Sequence, residues 1–122
     1  MASTNSLLRD IFTAGADLTG KENLFAKFNS SGQLVLAGAG EGGHAIARGA
    51  RQGEGVTVDL IGISKVTLGT GGGRAGQAVT SDANGRAVVV ASTNVINGTL
   101  VATGAAGDVV PFLAAVPAAR AA

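Results

Sequence analysis

The chain has 122 residues and a formal net charge of +1, and its hydrophobic fraction of 46% is mostly Ala and Val, with four Phe and no Trp or Tyr. Charges this balanced and dispersed leave no electrostatic footprint for nucleic acid or an anionic membrane, and the absence of cysteine excludes disulfides, thiolate-held zinc and a thiol nucleophile. A single domain with 20 Gly and a core of small residues is thinly stabilised, because burying Ala contributes far less than the roughly 1.5–3 kcal/mol of Val, Leu, Ile or Phe, so completion by oligomerisation or a docked partner is expected.

Residues 1–16 read as an N-terminal arm. The start, MASTNSLLRD, lacks the basic opening and long apolar core of a signal peptide. Leu7, Leu8, Ile11 and Phe12 fall on one face of a short helix, with Asn5 or Ser6 available as its N-cap. So short a helix is ordered only where that face is covered, by its own domain or by a neighbouring subunit. The four apolar residues are the candidate partner-binding set.

From Asp17 onward the pattern is of short strands, near residues 24–28, 33–37, 44–48, 56–61, 63–68, 77–80, 86–91, 98–103 and 108–113. Glycine-rich or polar breaks separate them. The expected fold is all-β: a small barrel or sandwich of about eight to nine strands over residues 17–116, followed by a tail at 117–122. Residues 53–88 are its centre, with two alternating apolar runs meeting at Gly62. The charge-free run Ala87–Gly107 is broken by Ser92, Thr93, Asn94, Asn97 and Gly98, so it reads as strands and a loop and not as a membrane span.

Weak echoes run through these strands, the mark either of a duplication or of turn chemistry shared in a chain dominated by Gly, Ala and Val. Ser31–Ala37 is echoed by Asn84–Val90, Gly43–Ala50 by Gly98–Ala105, and Gly53-Glu54 by Gly107-Asp108.

Segments that mimic catalytic motifs fail on chemistry. Gly15–Lys21 fits the start of a phosphate-binding loop, but Glu22 stands where a Ser or Thr must reach Mg²⁺. Gly38-Ala39-Gly40-Glu41-Gly42-Gly43 matches a dinucleotide fingerprint, yet the three glycines in residues 44–55 preclude the helix that would carry the pyrophosphate. His44 is the lone histidine, at the start of an apolar strand with no marked nucleophile. Lys65 lacks the surroundings of a lipoyl or biotinyl attachment site. No catalytic, cofactor-binding or metal-binding residue is assigned, and the chain is read as a non-enzyme.

The order of the turns and strands then carries a resemblance. Gln33–Ala37, Ala45–Ala47, Gly53–Val58, Gly62–Val66, Ala75–Asp82 and Gly85–Ala87 together resemble the tailed-phage capsid cement, or head decoration, proteins, in particular their small glycine- and alanine-rich group. The resemblance implies a compact β-barrel or β-sandwich on the outside of an icosahedral shell. It implies the major capsid protein as partner, a homotrimer or other homo-oligomer, no cofactor, no direct nucleic-acid contact and no membrane. The product would be made in the host bacterial cytoplasm and end on the virion exterior. A different virion or cell-surface module, such as a fibre or a glycan-binding sandwich, is the alternative; the lack of Trp and Tyr weighs against sugar binding.

Overall fold

The computed structural model describes the backbone of residues 5–114 and the side chains of residues 8–114. Over that span the chain is all-β: β1 (Asn5–Thr13), β2 (Phe25–Phe28), β3 (Leu34–Leu36), β4 (His44–Arg48), β5 (Gly55–Thr67), β6 (Ala78–Ser81), β7 (Ala87–Val89), β8 (Gly98–Leu100) and β9 (Val109–Ala114). The expected tail at 117–122 lies outside the described residues.

The helix expected in the arm is a strand instead. β1 pairs antiparallel with β5, from Asn5 opposite Ile63 to Thr13 opposite Gly55, with irregular register on either side of Leu8. A single short helix would leave its end groups unpaired and its apolar face uncovered, whereas the edge of β5 offers a ladder along the whole segment. Ile11, Phe12 and Thr13 also suit a pleated surface. The Asn5 and Ser6 side chains, the expected caps, lie outside the described side chains.

The two runs that meet at Gly62 form one 13-residue strand. Gly62 adopts φ 110, a conformation closed to most L-residues, and sits between Ser6 of β1 and Ala114 of β9. Residues 57–59 pair with β1 and also with β4, while Gly62 and Ile63 pair with β1 and also with β9. β4 and β9 therefore share the edge of β5 that faces away from β1. The sheet runs β3-β2-β4-β5-β9-β8-β6-β7, with β1 alongside β5.

That order is a palindrome of equivalent strands. β2, β3, β4 and the first half of β5 correspond to β6, β7, β8 and β9, and β1 corresponds to the second half of β5. The registers match residue for residue. Ala26 opposite Leu36 becomes Val79 opposite Val89, and Phe25 opposite Ala45 becomes Ala78 opposite Thr99. Ile46 opposite Val58 becomes Leu100 opposite Phe112, and Phe12 opposite Val56 becomes Val66 opposite Val110. The turns match as well: Asn29 Oδ1 accepts from the Ser31 and Gln33 amides, as Asp82 Oδ1 does from Asn84 and Arg86. The chain is thus a structural duplication that joins at Gly62. The second echo in the sequence aligns Ala45 with Leu100; the ladders place Ala45 against Thr99 and Ile46 against Leu100, one residue away.

Each repeat builds the same core. Ala14, Ala26, Leu34, Ile46, Val56 and Val58 form the buried cluster of the first with Leu18. Their counterparts Leu68, Val79, Ala87, Leu100, Val110 and Phe112 form that of the second. The second cluster also contains Phe25, Ala37 and Ala45, which belong to the first repeat. Phe25 meets Phe112 edge to face, ring centres 5.6 Å apart. One repeat therefore closes the core of the next.

Candidate functional site

The candidate partner-binding residues lie on β1, the strand outside the palindrome. Leu8 and Ile11 are exposed at 47% and 63%, and Phe12 is half-buried against the first core. The backbone of Leu7 belongs to β1, but its side chain lies outside the described ones. Because successive strand residues point to opposite faces, Ile11 is turned away from Phe12, and the four do not share the one face a helix would have given them. Phe12 packs edge to face on Phe28 at 4.8 Å, and Phe28 packs on His44 at 5.9 Å, so three rings run across β1, β2 and β4.

An ion pair fastens β1 to β5. Asp59 is 2% exposed; Arg9 Nε donates to its Oδ1 at 2.6 Å and Ser64 Oγ donates to its Oδ2 at 2.5 Å. The hydrogen bond to Asp59 raises the Arg9 pKa above its ordinary value. The Arg9 guanidinium and the Ser64 hydroxyl together hold the Asp59 carboxylate, so this arrangement fixes β1 against β5. The group sits in a polar pocket of about 240 Å³ with Glu22, Asn23 and Lys65 at its walls. In the second repeat the same register position holds Ile63 opposite Leu113, so the pair belongs to the first repeat alone.

A wider cleft of about 420 Å³ opens beside the ring row, lined by Lys27, Phe28, Gly40–Gly43, His44 and Val95. Lys27 Nζ donates to both Glu41 carboxylate oxygens at 2.7 Å. That bond, and a second from the Gly38 amide, hold the Glu41 carboxyl below the usual range. Burial lowers the pKa of His44, which keeps its imidazole neutral at pH 7.

The loops that mimic phosphate cradles are occupied by the fold itself. The Gly38 amide donates to Glu41 Oε1, Gly40 to the Ser81 carbonyl and Gly43 to Asn97 Oδ1. In Gly71–Gly76, which repeats the spacing of the dinucleotide fingerprint, the Gly73 and Gly76 amides likewise donate to the Gly104 and Leu100 carbonyls. Glu22, at the misfit position of the first motif, accepts from the Gly49 amide at 2.7 Å and so closes a loop of the first repeat. Among the described residues no group of His, Cys, Asp or Glu is placed to hold a metal ion.

Beside the polar group at Asp59, part of the outer face of β5 and β9 is apolar and exposed. Ile61 stands opposite Leu8, and Ile63 opposite Leu113; Ile61, Leu113 and Val109 are all exposed. Period two sets Ile61 on the opposite side from Val58, and Val109 and Leu113 on the opposite side from Val110, but both sides of these runs carry apolar residues, so alternation alone does not say which side is buried.

No family model matches the chain, and no curated protein does. Among solved structures it is similar to the N-terminal base of the head fibre gp8.5 of bacteriophage phi29, with a TM-score of 0.65 and 16% identity over 88% of this chain and 93% of that one. At that identity the likeness establishes a common fold.

Proposed function

We propose that the chain is a structural component of a phage head, bound to the outside of the icosahedral shell with the major capsid protein as its partner. The observation that carries this reading is the shared fold with a head-fibre base over nearly the whole length of both chains. The finer form of the proposal is a cement role, in which each copy, alone or within a homotrimer, bridges neighbouring capsid subunits. Many modest contacts repeated over a lattice then resist internal pressure through multivalency. The exposed apolar residues of β1, β5 and β9, and the edge of β1 on which no strand is paired among the described residues, supply the kind of surface such docking uses. The same likeness favours a second reading, in which the chain is the base of a fibre or of another surface module on the virion.

Co-sedimentation of the purified chain with expanded, chain-free shells of its own phage tests the proposal. Saturable binding at fixed sites on the outer surface is the expected result, and a particle map separates the two forms: flush density for cement, projecting density for a fibre base. Failure to bind the shells at any concentration would remove both.

A further inference from the structure

The contact that joins the two repeats is left open at one end of the molecule. Inside the chain, the first repeat presents Phe25, Ala37 and Ala45 to the second repeat's core. The Phe25 amide donates to the Gly85 carbonyl at 2.7 Å and the Gly40 amide to the Ser81 carbonyl at 2.8 Å. The receiving cluster includes Val66 and Ala114, with Ser81 at its border, and all three are buried. Their counterparts in the first repeat are Phe12, Leu60 and Phe28. Among the described residues nothing stands where the covering repeat would be, and the burial records it: Ser81 is 1% exposed and Phe28 41%. Phe12 and Leu60 are half-buried where Val66 is fully covered.

We propose that this face of the first repeat is covered by the second repeat of another copy of the same chain. That copy presents Ala78, Val90 and Thr99, the counterparts of Phe25, Ala37 and Ala45, which are partly exposed. The contact reproduces between molecules the one that already joins the repeats within each. Side-chain sizes trade across it: the presenting residue shrinks from Phe25 to Ala78, while the receiving residues grow from Val66 and Ser81 to Phe12 and Phe28. The other positions do not trade in this way, since Val90 and Thr99 are larger than Ala37 and Ala45 and Leu60 is larger than Ala114, so the contact between molecules repeats the placement of the residues and not their volumes. Two different patches meet, so the association is head-to-tail, closing into a ring or continuing as the repeat rotation dictates.

The test uses the purified chain in an analytical ultracentrifuge, without shells, so its failure leaves the shell reading standing and a failure to bind shells leaves this one standing. The wild-type chain is expected to self-associate. F28D and V90D are each expected to weaken association by about thirtyfold or more, with circular dichroism and thermal transition preserved. Mixed in equal amounts they are expected to form dimers and nothing larger, because only the Phe28 face of one and the Val90 face of the other remain intact. L113D, on the open face of β9, is expected to associate as the wild type does. A wild-type chain that stays monomeric at roughly 0.5 mM overturns the proposal, as does a mixture that forms no dimer, or L113D dissociating the assembly while F28D does not.

Discussion

At the scale of single residues, Asp59 is the least replaceable charge. It is buried and 50 positions from Arg9 in sequence, so no local pattern announces it; period two marks it only as one more alternation beside Val58. Removing Arg9 leaves a buried carboxylate with less compensation, while Ser64 and solvent at the half-exposed guanidinium position recover part of the loss. Arg9→Met is therefore expected to cost about 1–3 kcal/mol in urea denaturation. Adding Asp59→Asn should cost less than the two single losses summed. His44 gives a pH dependence of definite sign. Burial holds its folded pKa below the ordinary 6.5, so as pH falls the unfolded chain takes the proton first. Stability should thus decline from near pH 6.5 downward until the folded pKa is passed. His44→Gln should flatten that slope in urea midpoints measured from about pH 8 to pH 5.

At the scale of elements, the strands after Asp17 were legible because alternation and turn residues coincide, and each expected strand has its observed counterpart except that 56–61 and 63–68 form the single strand β5. The arm was not, because Leu7, Leu8, Ile11 and Phe12 satisfy a helical stripe as well as two strand faces, and only the open edge of β5 decides between them. The repeat was blurred for a different reason. The register offset moves from 53 to 54 residues between β2 with β6 and β4 with β8, and equivalent positions exchange size, as Val58 with Phe112 or His44 with Gly98. A side chain at Gly98 would strike the Phe112 ring, whereas Val58 leaves room for His44. The joint itself is the sensitive point of β5. Gly62→Val forces a β-branched residue to φ 110 between two ladders and is expected to cost about 1–3 kcal/mol in chemical denaturation. A loss restricted to the first turn of melting, with the global midpoint unchanged, would show that β1 and β9 do not both depend on it.

At the scale of the whole molecule, the duplication explains how a chain of small residues is stable enough to fold. Each repeat's core is thin, and the second becomes complete only when Phe25, Ala37 and Ala45 of the first are laid over it. The unit is therefore built to be closed by its own kind, which is the property the sequence expressed only as too few large apolar residues for its length. Gly62 carries one more consequence. Ser6 and Ala114 pair with it from opposite edges, so the first and last strands end on either side of a single residue, about 10 Å apart across two ladder spacings. A short linker can join Asn5 to Ala114 there, and new ends can be opened between Ala83 and Asn84, the exposed residues of the turn after β6. Such a circular permutant is expected to keep the β-rich circular dichroism spectrum and a cooperative thermal transition. A peptide joined directly to Asn5 or to Ala114 would leave the sheet from the same spot, so its display would not depend on which of the two strands carries it.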